Sequence, residues 1–406
     1  MPNNLLNAQM ITNELLLRFK NNLGFSGAIS HTWDDKFAIS GAKIGDTLRL
    51  RDAVEFTVSK NPDITSSIQD VIETQKTLTL NQQAVVPFQF SSSELTLNID
   101  AFSDRYIKSA AVALANQIDV DGLTMAYQST GNQVGTPGTP IAALDPFWGA
   151  GETLDTFSAP MDGKRSMVIS PKVQTAALKA AQGLFQSSDQ VKKQYERGRM
   201  GIMGGFEWVM DQNTRTHTVG PLGGAPQVGA ASQTGSTLAV TGFTAAAALR
   251  LKKGDSFTLP TVFPVNRVSS DPQVDLQKFV VTADVSSLAD GSASIPIYPP
   301  ITTSGALQTV TNSPTAGAPL TITSGTANAL VSESIAFHEA AFVIGMAPLE
   351  VPKGVHFAAS QMDPDTGCSV RIVSDYNVYT DKFITRCDVL YGFAAQRPEW
   401  ACRVVQ

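Results

Sequence analysis

The hydrophobic period changes along this chain, and that change most limits what it can fold into. From His31 to about Phe90 apolar and polar residues alternate, in TLRLRD and VEFTV (Thr47 to Val58) and again in KTLTL (Lys76 to Leu80). Alternation at period two marks a strand with one buried face. The stretch between these runs is polar and contains Asn61, Pro62, Asp63, Ser66 and Ser67, so the two runs read as a long β-hairpin with an exposed tip. After Asp100, a reasonable N-cap, Ile107, Ala111, Leu114 and Ile118 recur at helical spacing, which predicts a helix over about 101–128 that ends before Gly131. At 1.5 Å per residue it would be on the order of 40 Å long, and its narrow alanine-rich stripe suits packing on a flat sheet.

The remaining segments fall on either side of a shift in composition. Leu5, Leu6, Ile11, Leu15, Leu16 and Phe19 predict a short amphipathic helix that stops at Gly24, with an arm-like lead into the rest. Ser166 to Ser170 predicts a strand, and Pro171 opens a helix through Ala180 with Ser170 at the cap. Arg197 to Asp211 reads as a glycine-rich crossing into a strand around Trp208. From about Thr214, Thr, Ser, Gly, Ala and Pro dominate, the helical period vanishes, and short strands such as DSFTL and KFVVTADV alternate with turns, as in an all-β unit. Ser332 to Ile344 reads as helical again, and strands follow in VRIVSDYNVY and KFITRCDVLYGFAA. The simplest fold class is α+β, with an all-β domain inserted into it.

Charge and cysteine content narrow the function. Thirty basic against 36 acidic residues give a net charge of −6, and 16% charged beside 43% hydrophobic residues is too apolar for a disordered chain and too acidic for one held to nucleic acid by a basic surface. Between Phe279 and Pro352 there is no Lys or Arg at all. At 406 residues several units with large cores are expected. Cys368, Cys387 and Cys402 lack the spacing of a zinc site or redox pair and read as free, buried thiols suited to a reducing compartment. The N-terminus lacks the basic and apolar regions of a secretory signal, and no apolar run approaches the ~18 to 20 residues of a membrane span, so the expectation is a soluble cytoplasmic product with no membrane partner.

No reactive constellation stands out. His31, His217, His338 and His356 are scattered, with no HExxH spacing, and His338 reads as a packed histidine on a helix. The glycines at 198, 201, 204 and 205 do not fit a dinucleotide loop, and there is no phosphate-binding GxxxxGK[ST] or GxSxG. Asp34 with Asp35, and Asp119 with Asp121, read as solvated or capping residues, while the four tryptophans read as core or interface anchors. A structural protein without catalytic residues, cofactor or metal is expected.

The order of parts then carries a resemblance. KIGDTLRL (Lys43 to Leu50), LKKGDSFTL (Leu251 to Leu259), VFPVN (Val262 to Asn266), LQKFVVTADV (Leu276 to Val285), AFHEAAFVIGMAPLEVP (Ala336 to Pro352) and DVLYGFAAQRPEWACRVV (Asp388 to Val405) resemble the coat proteins of P22-like tailed bacteriophages. The resemblance covers nearly the whole chain. It implies an HK97-like capsid fold with an N-terminal arm (1–35), an extended hairpin loop (36–95), a peripheral domain with a spine helix (96–160), an axial domain (161–213), an inserted barrel-like β domain (214–332) and return strands (333–406). It implies self-assembly as hexamers and pentamers into an icosahedral shell around double-stranded DNA, contacted weakly and non-specifically, with scaffolding and portal proteins as partners. The location implied is the virion, after assembly in the host cytoplasm. One departure is visible: the segment Ala225 to Val240 is short and uncharged, where such proteins can carry a charged loop that reaches a neighbour. An encapsulin-like compartment shell and a β-rich carbohydrate-binding or carbohydrate-processing protein are the alternatives.

Within that reading the hairpin is a clamp between subunits. Leu48 and Leu50 alternate with Arg49 and Arg51, giving one apolar and one cationic face, and a two-stranded ribbon is marginal by itself, so its apolar face is expected to need a neighbour's surface. Arg49, Arg51, Lys60 and Asp63 are the candidate contact residues. Some HK97-like shells join a Lys to an Asn covalently, and Lys60 beside Asn61 raises that possibility, yet P22-like proteins do not rely on it and no acid here is identifiable as the base. Purified particles should therefore run as a single monomer band on denaturing gels, with no ladder of multimers.

Overall fold

The computed structural model describes residues 3–31, 47–51, 56, 68, 75–91, 107–181, 201–363 and 366–406. In chain order the first elements are α1 (Asn3–Asn22), β1 (Thr47–Arg51), β2 (Gln75–Thr79), β3 (Gln82–Ser91), α2 (Lys108–Ser129), β4 (Gln133–Val134), α3 (Asp145–Thr156), β5 (Arg165–Ile169) and α4 (Pro171–Ala181). They are followed by β6 (Ile202–Met203), β7 (Phe206–Met210), β8 (Thr216–Thr218), β9 (Gln227–Val228), β10 (Gly235–Thr241), β11 (Ala248–Leu251), β12 (Ser256–Thr258), β13 (Lys278–Val281), β14 (Val285–Ser287), β15 (Ala293–Ile301) and β16 (Thr321–Ile322). The chain closes with β17 (Leu330–His338), β18 (Phe342–Ala347), β19 (Phe357–Met362), β20 (Ser369–Asn377), β21 (Lys382–Ala395) and β22 (Ala401–Val405). The protein is mixed α and β, mostly sheet, with four helices among the described residues. No helix among them is long and apolar enough to cross a membrane. The chain divides into two compact units, Met1–Leu50 with Gln75–Gly122 and Phe342–Gln396, and Arg51–Thr74 with Leu123–Ala341 and Arg397–Gln406.

The first unit is built on β21. This long strand pairs along one side with β18 and β20 and along the other with β3, so that Cys387 stands between Ile372 and Val86. β19 extends the sheet beyond β20. Gln82 to Ser91, which lies inside the stretch assigned to the extended loop from sequence, is thus a strand of this sheet. On α1, Thr12, Leu15, Leu16 and Phe19 face inward. The turn after α1 is fixed by Asp119, whose two carboxylate oxygens accept the Gly24 N–H at 2.7 Å and the Ser26 N–H at 2.8 Å. Asp119 is therefore a buried capping residue, and its neighbour Asp121 accepts the Tyr391 hydroxyl at 2.5 Å.

The second unit holds a seven-stranded sheet and a separate β assembly. In the sheet β17 is central, with Ile335 paired to Arg403 of β22 on one side and to Val168 of β5 on the other. β7 follows β5 in parallel, and β4 runs parallel to β22. Helix α3 packs Phe147, Ala150 and Leu154 into the core beneath, together with Met167, Phe206 and Val404. The β assembly spans β9 to β16 as a six-stranded and a two-stranded sheet around one core, where Phe257 and Phe279 stack at 5.7 Å. β8, just inside the region expected to be the inserted domain, pairs instead with β17.

One sequence expectation needs correction here, and one helix lies where none was expected. Ser332 to Ile344 is not helical: it is the end of β17, a short 3-10 turn and the start of β18, and His338 lies on the strand. β17 is buried on both faces, so its residues lose the alternation of a half-buried strand and cannot be told from a buried helix by period. Conversely, α3 went unforeseen because Gly149 and Gly151 break its pattern. Those glycines let the helix lie close to its neighbours, with an added Cβ falling 3.1 Å from Val134 Cγ1 and 3.4 Å from the Phe206 ring.

All three cysteines are free and buried. Burial pushes the thiols of Cys387 and Cys402 up to about 12 and raises that of Cys368 as well. Thiolate is the reactive form, so the folded chain should resist a disulfide reagent at mildly alkaline pH and expose three reactive thiols only in denaturant. Titration with and without denaturant checks both halves of that expectation.

Candidate assembly surface

β1 and β2 pair as a two-stranded sheet, which places the expected hairpin strands side by side. Along β1 the side chains alternate, with Arg49 and Arg51 exposed and Leu48 and Leu50 half-buried. The apolar face does not wait for a neighbour. Leu48 and Leu50 pack against Leu78, Val343 and Ala394 of the same unit, which corrects the expectation that another subunit must cover it. A marginal ribbon gains stability from any packed surface, and its own sheet supplies one at no cost in association entropy.

A pair of glycines makes that seat. Gly345 on β18 and Gly392 on β21 lie opposite each other in register. A Cβ on Gly345 would fall 2.6 Å from Leu78 Cδ2, and one on Gly392 would strike the Thr79 carbonyl oxygen. The missing side chains form a notch in the sheet where the end of β2 lies flush. Lys76 adds a hydrogen bond from its ammonium to the Gln396 carbonyl. The sequences FVIGMA and LYGFAA carry the signal, since glycine inside a strand often marks close approach of another backbone, but sequence alone does not reveal that the two glycines face each other.

Arg49 and Arg51 therefore share the outward face of a strand that is anchored from behind. Lys60 and Asp63 lie outside the described residues. A second outward feature, missed from sequence, is the turn joining β20 and β21. The Tyr376 hydroxyl donates to Asp381 Oδ1 at 2.8 Å and the Tyr379 N–H to Asn377 Oδ1 at 2.9 Å, so the turn is braced. Yet it presents Val378 and Tyr379 at 76% and 99% exposure. Large apolar side chains fixed in water on a braced turn are the form of a contact point.

Below the turn, the sheet buries charge. Asp388 on β21 is fully enclosed and held by Arg371 across the strands and by Arg386 Nε at 2.8 Å. Burial, followed by its bond to Asp121, raises the Tyr391 hydroxyl above its ordinary value, so it stays protonated and donates. Among the described residues no group of three or more His, Cys, Asp or Glu side chains is arranged to hold a metal ion.

The sequence matches the family described as P22 coat protein, gene protein 5, over residues 3–403. The chain belongs to that family, and it is a bacteriophage major capsid protein, a structural subunit from many copies of which a shell is made. No curated protein sequence matches it. Among solved structures it is similar to that of Mycobacterium phage Che8, at 12% identity over 94% of this chain and 90% of that one with a TM-score of 0.44. It is also similar to the capsid of Ralstonia phage GP4, at 8% identity over 91% and 85% with a TM-score of 0.46. A virus-like particle from Pyrococcus furiosus matches at 9% identity over 98% and 99%, with a TM-score of 0.44. The family assignment rests on the sequence match, and it sets aside the carbohydrate-binding alternative.

The notch gives a direct test of the hairpin's seat. Gly392→Ala should lower subunit stability by about 2 kcal/mol, the range for overpacking a close contact, and free the Lys76–Thr79 strand. Thermal melting reads the first effect, and amide exchange at residues 76–79 reads the second.

Proposed function

We propose that the chain forms a closed icosahedral shell of HK97-like architecture, built from hexamers and pentamers, that encloses a double-stranded DNA genome. The observation that carries this reading is the family match across residues 3–403, which runs through both compact units rather than over one piece. The proposed parts are the arm at 1–35, the extended loop at 36–95, the peripheral domain at 96–160, the axial domain at 161–213, the inserted β domain at 214–332 and the return strands at 333–406. The gathering of one apolar core between Val228 and Leu320 supports the inserted domain. The subunit's work is to bind other subunits and not to catalyse a reaction.

In this proposal the arginine face of β1 and the Val378–Tyr379 turn meet neighbouring subunits. An anchored strand whose cations face outward suits a carboxylate on a second copy, and the acidic surplus of the chain supplies candidates. Lys60 and Asp63 belong to the same contact as the sequence reads it. The net charge of −6 keeps contact with packaged DNA weak and non-specific, and shell closure calls for scaffolding and portal partners. Assembly would take place in the host cytoplasm and the mature location would be the virion.

Electron microscopy and sedimentation of the natively purified protein test this reading, with closed particles expected. Charge reversal at both arginines (Arg49→Glu with Arg51→Glu) should leave subunit circular dichroism and melting unchanged while lowering particle yield. Monomers or small oligomers in the wild type would sink the shell, whereas unchanged yield in the double variant would sink only the arginine contact.

A further inference from the structure

In the second unit four ionisable side chains are buried together, and nothing in shell formation requires it. Arg403 on β22 is fully enclosed; its Nη1 donates to the Gly254 carbonyl at 2.7 Å and its Nη2 to Gln133 Oε1 at 2.9 Å. Glu333 on the adjacent β17 lies with Oε1 3.6 Å from Arg403 Nη1, too far for a hydrogen bond. Glu333 Oε2 and Arg403 Nε are buried without a hydrogen-bond partner.

The other two members belong to β8 and to the turn between β11 and β12. Asp255 in that turn is fully buried and accepts the N–H groups of Lys252 at 2.8 Å and Gly220 at 3.1 Å and the Ser324 hydroxyl at 3.2 Å. Its Oδ1 lies 2.8 Å from Nε2 of His217 on β8. Gly254, at φ +98°, sits so close to the Tyr127 and His217 rings that a side chain there would crowd both. The turn is thus docked by polar groups from β22 and β8 and by the Tyr127 ring of α2, in a place without room for bulk water.

Charge decides how well that docking holds. An ionised Glu333 would place a buried negative charge, with no hydrogen-bond partner at Oε2, 3.6 Å from the guanidinium that holds Gly254. A proton on Glu333 removes that charge, and Arg403 keeps its bonds to Gly254 and Gln133. The groups facing Glu333 are Arg403 from β22, His217 from β8 and Asp255 from the turn. Lys278 of β13 is occupied at the Gln133 carbonyl, 2.6 Å away, and Tyr127 of α2 presents its ring to His217.

We propose that this cluster is a pH-operated latch, which holds the Lys252–Ser256 turn against β22 while Glu333 carries a proton and slackens when Glu333 ionises. Burial pushes the Glu333 carboxyl above the usual carboxylate range, against the opposing pull of Arg403 and His217. A carboxyl raised in this way binds its proton more tightly folded than unfolded. Its stabilising contribution is therefore full at low pH and is lost as pH rises from the ordinary glutamate value through the raised one.

Amide exchange of the full-length, unassembled chain, corrected for the intrinsic pH dependence, tests the latch at Gly220 and Lys252, whose N–H groups Asp255 accepts. Protection there should fall about tenfold from mildly acidic to mildly alkaline pH, and Glu333→Gln, uncharged and of the same shape, should hold it flat. An infrared carbonyl band of a protonated carboxyl, persisting above the ordinary carboxylate range and absent from Glu333→Gln, should report the proton itself. Equal pH slopes in the variant and the wild type would overturn the proposal. If the variant fails to fold, a wild-type titration that shows no such band overturns it alone.

Discussion

The five-stranded sheet of the first unit and the seven-stranded sheet of the second are completed by β21 and β22, the last strands of the chain, and the rest of those units depends on those long-range pairings. β21 receives β3, some 300 residues earlier, along its full length, and β22 lies between β17 and the early strand β4. Among the described strands β3 pairs only with β21 and β4 only with β22, so until the end of the chain is in place their ladder groups are left to water. Contacts so distant in sequence are costly to form by chance, which favours slow, cooperative closure of each unit. The family's shell is thus built from a subunit whose N-terminal and C-terminal segments fold together.

Burial of charge is the second constraint. Asp119, Asp388, Arg403 and Asp255 are all enclosed, and each is held by backbone groups or opposite charges at close range. Breaking a buried pair by removing one partner is far more damaging than replacing both, so these positions pin particular turns and registers. Asp119 pins the turn after α1, and Asp255 pins the turn that leads into β12. Glu333 differs from these three carboxylates in that its Oε2 is buried without a hydrogen-bond partner.

The hairpin shows how a marginal ribbon is anchored by packing within its own unit. Its leucine face is satisfied by Leu78, Val343 and Ala394, and the Gly345–Gly392 notch seats its second strand. Anchoring from behind limits the strand's freedom, and in the proposed contact such a pre-ordered element would lose less entropy on binding. The braced Val378–Tyr379 turn has the same character.

The sequence by itself determined the local elements whose burial is one-sided. Alternation at Thr47 to Arg51 gave the strand with its arginines outward, the spacing of Ile107 to Ile118 gave α2, and the composition beyond Thr214 gave the β assembly. The family, too, was legible in short ordered motifs, since the match runs over residues 3–403. Elsewhere the tertiary structure decided. β17 reads as helical because burial on both faces erases its period, and α3 hides behind glycines whose purpose is contact with Val134 and Phe206. The four scattered histidines gave no hint that His217 meets Asp255, 38 residues on, or that Glu333 lies beside Arg403. A sequence records which face of an element is apolar, whereas what that face or a buried charge will meet is fixed only when distant segments pair.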